Sequence, residues 1–379
     1  VVTLEVLTHT KRRDFKNCNR YYLHRHLQHL SPRMQKGGRR RGTIFGETIY
    51  DVLATGQEEI LRRADPPGDA EGVTPVEWNT ALRWFVQERV HEHYEELRET
   101  GNLDSFVIAD LEIEEVKVAV MAFAYCLRYP LDTRRELEFD LPLRNPRTGA
   151  TSRAFKRGGK IDGCVQIGPR KILIIEDKFV GQIQKAMIDR LPLDEQATEY
   201  VDAFMSVGWD AEVAYRHTLY PQINPKKGKE APALTPSGKP SKAKSVAPET
   251  LEEFADRLLE DVLQTRPEHY FDEQILWFPK DHMDDYRAGR WGTAQDIIAA
   301  RRVFRETARR QGTDVLVPPA LAQEFPMNSS RCWEYGGCEF IPLCTKLPGA
   351  EALYEIVQDN PELTHGKEDE GVTSEYAEQ

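Results

Sequence analysis

Residues Gly159–Lys178 read GKIDGCVQIGPRKILIIEDK. Two apolar runs flank the turn signal Gly168-Pro169-Arg170-Lys171, so the segment is expected to fold back as a β-hairpin. Side chains alternate along a strand, so Glu176 and Lys178 share one face of the second run, while Asp177 points the other way with Ile175 and Phe179. Asp162 lies on the first run, and the fold-back brings two carboxylates and a lysine together. A surface salt bridge is the plain alternative. The run ILII, however, is apolar enough to be a buried central strand, and charged side chains at its end are costly unless a metal or partner compensates. The phase of the strand picks out Glu176 as the metal ligand.

Working outward, Glu136–Leu143 alternates as a strand and Asn145–Gly149 carries Pro, Arg and Gly of a turn, which predicts three successive antiparallel strands. Residues 194–208, DEQATEYVDAFMSVG, read as a helix that stops at Gly208, and Ala211–Tyr220 reads as one more strand. The core is therefore expected to be α/β in β-β-β-α-β order. Within that helix Gln196 and Tyr200 stand one turn apart and face the same side. An ordinary amphipathic helix would explain the pair; its place shortly after the hairpin makes it a candidate for binding a phosphate or a nucleophilic water.

The remaining chain of 379 residues is expected to frame this core. Asp14–Leu30 has apolar residues at helical spacing, Glu47–Leu53 reads as a second helix, and Pro75–Glu99 and Ile108–Tyr129 read as long amphipathic helices. The expected organisation is a helical region at 1–133, the core at 134–220, a basic flexible insertion rich in Pro, Gly, Ser and Lys at 221–247, a helical region at 248–330, a cysteine segment at 331–347 and a helix with an acidic disordered tail at 348–379. The sequence has no long apolar stretch at its start and none of membrane-spanning length, so export and membrane insertion are not expected and a cytoplasmic, intracellular location is. The net charge of −11 argues against general affinity for nucleic acid, but eleven Lys/Arg face a single acid, Asp14, between Lys11 and Arg41.

The chain has six cysteines. Cys332, Cys338 and Cys344 crowd into thirteen residues, which fits a metal site in a reducing compartment better than a disulfide scaffold. Three thiolates need a fourth ligand for a tetrahedral zinc or a four-cysteine cluster, and Cys18 is the best candidate, with Cys126 and Cys164 assigned to packing.

Together these features resemble the RecB-like branch of the PD-(D/E)XK nucleases, in particular its iron–sulfur members, which include AddB-type helicase-nucleases, CRISPR-associated adaptation nucleases and phage-type exonucleases. Gly159-Lys160-Ile161-Asp162 matches the family's G-x-I-D motif, Glu176-Asp177-Lys178 its (D/E)-x-K motif, and Gln196 to Tyr200 its Q-x-x-x-Y motif. The resemblance runs from about Cys18 to Cys344. It implies a restriction-endonuclease-like core, a mixed sheet flanked by helices, with its N- and C-terminal helical regions tied by a [4Fe-4S] cluster on Cys18, Cys332, Cys338 and Cys344. It further implies Mg²⁺ or Mn²⁺ held by Asp162, Glu176 and the backbone carbonyl of Asp177, with Lys178, Gln196 and Tyr200 completing the catalytic set and Glu136 a further acid near it. The implied activity is DNA hydrolysis on single strands or duplex ends, in a repair, recombination, phage or defence context, with protein partners or self-association. Many relatives carry a metal-binding histidine in a G-x-x-x-H helix, where Gly46–Tyr50 ends in tyrosine. A phenol is a poor ligand for a hard cation near neutral pH. The alternatives are a weakly held second ion, Glu47 as substitute, or a single ion. Two other readings follow, a DNA-binding or assembly subunit with a degenerate nuclease core and a protein whose cluster is a redox centre.

Overall fold

A computed structural model of the chain describes residues 4–33, 41–64, 75–100, 108–129, 134–229, 246–311 and 319–357. The chain opens with β1 (Glu5–Leu7), α1 (His9–Asn17) and α2 (Asn19–Tyr22), the last running on as a π-helical turn to Leu27, and then β2 (Leu30–Pro32). Helices α3 (Arg41–Arg63), α4 (Pro75–Thr100) and α5 (Ile108–Arg128) follow. The core has β3 (Arg134–Arg144), β4 (Thr151–Gly168), β5 (Lys171–Val180), the short α6 (Lys185–Ile188), α7 (Glu195–Ser206) and β6 (Asp210–Leu219). After it come α8 (Leu251–Glu260), α9 (Pro267–Tyr270), β7 (Phe271–Leu276), α10 (Lys280–Gln311), α11 (Pro319–Glu324), α12 (Ile341–Cys344) and β8 (Tyr354–Ile356).

The expected β-β-β-α-β order is present within a larger mixed sheet. Its path is β1-β4-β5-β6-β7, with β3 also pairing to β4. Strands β3, β4 and β5 are successively antiparallel, β5 and β6 are parallel, and β7 returns antiparallel to β6. The turn at Gly168–Lys171 closes the hairpin, with Arg170 at φ 55°.

The strand alternation divides the core. Ile172 and Ile174 of β5 pack with Val213 and Tyr215 of β6 against Ala197, Tyr200, Val201 and Phe204 of α7. On the opposite face Phe179 joins the cluster built from α3, α4, α5 and α8. Phe45 of α3 stacks on it, ring centroids 4.4 Å apart. Burying a Phe or Ile side chain contributes on the order of 1.5–3 kcal/mol, so the two layers fix which face of β5 looks at α7.

Several elements depart from the expectations. The expected helix over Asp14–Leu30 breaks at Cys18, whose extended backbone (φ −159°, ψ 106°) ends α1 and starts α2. β1 and β7 join the sheet from segments expected to be helical or unassigned. Asp281–Arg310, which reads as one or two helices, is one helix, in keeping with that expectation. Of the insertion at 221–247, the two ends meet in a pair of backbone hydrogen bonds between Lys229 and Val246, each 2.9 Å, and residues 230–245 lie outside the described residues, as do the expected loop at Asp65–Thr74 and the acidic tail. No helix among the described residues is long and apolar enough to cross a membrane.

Candidate active site and cysteine segment

The register of β4 with β5 pairs Gly163 with Ile175 and Cys164 with Ile174. Next along these strands come Asp162 and Glu176; Glu176 lies on the face that looks at α7, and the Asp162 charge acts on it. Lys178, two residues on, donates a hydrogen bond to Glu176 Oε1. Asp177 points to the other face, where its Oδ1 accepts a 2.6 Å hydrogen bond from the Tyr125 hydroxyl of α5. The side chain of Asp177 therefore anchors the strand, and only its main chain belongs to the Glu176 side.

Helix α7 faces this hairpin. Asp194 is its N-cap and accepts the Gln196 N–H at 2.8 Å, as a short polar side chain does at a helix start. Gln196 Nε2 donates to Tyr200 Oη (2.9 Å), and Tyr200 Oη donates to the Lys160 carbonyl (2.6 Å). The Q-x-x-x-Y pair thus holds the backbone of β4 two residues before Asp162. That approach needs a glycine: a Cβ on Gly159 would lie 2.9 Å from the Phe139 ring and 3.7 Å from the Tyr200 ring.

The electrostatics follow from this crowding. Glu176 is fully buried, and its Oε2 has no hydrogen-bond partner. Burial and the neighbouring Asp162 push its pKa up to about 8, with Lys178 pulling down and Asp194 pushing up. Burial works against the Lys178 ammonium, but Glu176, Asp162 and Asp194 together raise its pKa. Burial, Glu176 and Asp162 hold the Tyr200 hydroxyl well above its usual range, so it stays a proton donor. Asp194 was not among the residues singled out in the sequence. The signal was an acid directly before a helix, which reads equally as an ordinary cap.

The back of α7 is held by ions. Glu199, one residue before Tyr200, takes Arg12 of α1 at 2.7 Å, Arg290 of α10 at 3.0 Å and Arg157 of β4 at 3.2 Å. Asp202 takes Arg157 at 2.6 Å, Arg290 at 2.7 Å and Arg287 at 2.6 Å. Helix α7 is thereby fixed to both flanking regions.

The expected partner helix is α3. Glu47 of α3 turns to His93 of α4, Oε2 to Nδ1 3.6 Å, and α3 packs on the Phe179 face of the sheet, opposite to Glu176. Tyr50 is half-buried on α3. The side chain of Glu136, on β3, lies outside the described residues.

Cys18, Cys332, Cys338 and Cys344 are free thiols in one region of the protein. Cys18 Sγ accepts from the Asn328 N–H at 3.5 Å, Cys332 Sγ lies 3.8 Å from the Asn328 carbonyl, and the Cys338 N–H donates to the Cys332 carbonyl. Burial pushes the Cys344 thiol up to about 12, against Arg20, with Cys338, Cys18 and Cys332 adding to the rise. His24, buried, lies 4.0 Å from Cys344 Sγ through Nε2. Among the described residues, no three His, Cys, Asp or Glu side chains stand together as a metal-holding group.

No family model matches the sequence, and no curated protein matches it. Among solved structures, a chain described as "Crystal structure of SSO0001" is similar over 59% of this chain and 84% of that one, at 13% identity and a TM-score of 0.21. A score that low carries no structural argument.

Proposed function

We propose that this chain is a Mg²⁺- or Mn²⁺-dependent deoxyribonuclease of the RecB-like PD-(D/E)XK kind, hydrolysing phosphodiesters in single strands or at duplex ends. The observation that carries the reading is Glu176, wholly buried, with one oxygen lacking any hydrogen-bond partner and with Asp162 and Asp194 adding negative charge against Lys178. That orphaned oxygen fits a cation ligand. Asp162, Glu176 and the Asp177 carbonyl would hold the ion, which when bound offsets this charge, stabilises charge developing on the phosphoryl group and acidifies water. Lys178 binds a phosphoryl oxygen or orients the attacking water. Gln196 and Tyr200 keep the Lys160–Asp162 backbone in place.

The same reading assigns a [4Fe-4S] cluster to Cys18, Cys332, Cys338 and Cys344, as a staple between the N- and C-terminal helical regions. In support, Cys18 and Cys332 both contact the Asn328 backbone, and the charges of Cys18, Cys332 and Cys338 act on Cys344.

The experiment is degradation of end-labelled DNA with and without Mg²⁺ or Mn²⁺, repeated with Asp162→Ala and Lys178→Ala proteins of unchanged circular dichroism. Cleavage that needs the metal and vanishes in both variants supports the assignment; full activity in both overturns it. One observation favours a second reading, a DNA-binding subunit with a weak or inactive core: α3, where Tyr50 stands in place of the usual histidine, packs on the Phe179 face of the sheet, opposite to Glu176. Binding of DNA without cleavage under any divalent ion would select it.

A further inference from the structure

Beyond the expected motif residues, the face of the sheet that carries Glu176 and Lys178 continues onto β6 and β7. The parallel register sets Glu176 beside Tyr215 and Lys178 beside His217, and the antiparallel register sets His217 beside Asp272. Paired residues share a face, so Lys178, His217 and Asp272 form one row across three strands, each about 4.8 Å from the next.

His217 is 1% exposed. Its Nδ1 lies 3.4 Å from Asp272 Oδ2, and its ring lies near parallel to that of Tyr215, at 8° and 6.4 Å between centroids. Asp272 Oδ1 in turn accepts from Gln274 Nε2 at 2.9 Å. The imidazole is thus held by burial and by its packing beside Tyr215, with the Asp272 carboxylate at ion-pair distance but outside hydrogen-bond geometry. Burial lowers the pKa of His217, Asp272 raises it and the nearby Lys178 lowers it, so the net direction is toward the neutral ring.

Lys178 has a long flexible stem, and its ammonium serves the site only while it stays beside Glu176. On the β7 side of the row stands a second carboxylate, Asp272, that would compete for it. We infer that His217, standing between the two, is a positioning residue for Lys178: it separates the lysine from Asp272 and confines the ammonium to the Glu176 side. The inference rests on the nuclease reading for its effect on turnover, and on the row of side chains alone for its effect on Lys178.

Both are testable in one set of proteins: wild type, His217→Ala, His217→Gln and the double variant His217→Ala/Asp272→Asn. The readouts are kcat and KM for metal-dependent cleavage of labelled DNA, and the side-chain NMR signal of Lys178, assigned by its loss in Lys178→Met. Displacing a positioned group costs about 10- to 100-fold, so His217→Ala is expected to lose that much in kcat with little change in KM and to shift the Lys178 signal. His217→Gln, which still occupies the row between Lys178 and Asp272, restores both. The double variant, lacking the competing charge, recovers most of kcat and returns the signal. Wild-type kcat and an unmoved Lys178 signal in His217→Ala would overturn the inference, as would a double variant no better than His217→Ala. Should His217→Ala fail to fold, a Lys178 signal displaced in soluble His217→Gln would overturn it and an unmoved one would support it. If the wild type cleaves nothing, the nuclease reading fails by itself, and the NMR signals still decide whether His217 positions Lys178.

Discussion

Lys178 donates to Glu176 Oε1 from two residues along the same strand, and it leaves Glu176 Oε2 buried without a hydrogen-bond partner. One lysine meets half of the carboxylate's requirement. The other half is a standing cost, because an unsatisfied buried acceptor loses its hydration without replacement.

The first prediction is a pH-dependent stability that a divalent cation removes. The Glu176 pKa is raised from 4.5 to about 8 by burial and Asp162, so the folded protein holds a proton that the unfolded chain releases. The stability this proton contributes is fully present below about pH 4.5 and is lost as pH rises through about 8. Metal-free wild type should therefore lose melting temperature between those values relative to Glu176→Gln. Adding Mn²⁺ should raise the wild-type midpoint most at the alkaline end, since ligation requires the carboxylate. Thermal melts across pH, with and without Mn²⁺, check this; a wild-type curve parallel to that of Glu176→Gln would refute it.

Asp194 should separate into two effects. As the N-cap of α7 it accepts the Gln196 N–H, and as a charge it bears on Glu176 and Lys178. Asn caps helices as well as Asp does, whereas losing a cap to Ala costs about 1 kcal/mol. Asp194→Asn is expected to keep stability yet weaken Mn²⁺ binding, and Asp194→Ala to lose both. Urea unfolding and metal titration read the two apart; equal metal affinity in wild type and Asp194→Asn would restrict Asp194 to capping.

How much of this was legible depended on whether the signal was local. The hairpin was readable because its turn, its alternation and the Glu176-Asp177-Lys178 phase all lie within twenty residues. The break at Cys18 was not, because helical spacing runs on across a single extended residue. Strand β7 was missed because FDEQIL carries acids on both faces, and these make sense only beside β6, where Asp272 meets His217 and Glu273 meets Arg216. Nothing local in the helix sequence marks Glu199 and Asp202 as buried. They are buried because Arg12, Arg157, Arg287 and Arg290 arrive from three distant segments.

The cysteine segment gives a compositional prediction. Protein purified without oxygen should carry iron and acid-labile sulfide and show broad visible absorption. Cys18→Ser should lose the iron and, with Cys18 Sγ no longer accepting from Asn328, loosen α1 against the C-terminal segment. Full iron content in Cys18→Ser would exclude Cys18 as a ligand. A colourless zinc protein would exclude the iron–sulfur assignment altogether.

The last prediction concerns the ion lattice behind α7. Burial alone would raise the pKa of Glu199, but Arg290, Arg12 and Arg157 outweigh it and hold the carboxylate well below its usual range; Asp202 is lowered by Arg157 and Arg290 against burial in the same way. A depressed folded-state pKa contributes stability that is present above the unfolded value, near 4.5 for Glu and 3.8 for Asp, and lost as pH falls below it. Glu199→Gln removes that charge while three arginines remain buried around it. Breaking a buried pair by deleting one partner costs about 3–5 kcal/mol, so Glu199→Gln should unfold at markedly lower urea at pH 7. Its deficit relative to wild type should shrink as the pH is lowered toward 3, because the wild type then loses what the variant already lacks. Glu59, half-buried at the surface and paired with the exposed Arg62 and Arg63, is the control: Glu59→Gln should leave the midpoint nearly unchanged, as surface pairs do. Equal urea midpoints for Glu199→Gln and Glu59→Gln would mean that α7 is held by its apolar face alone.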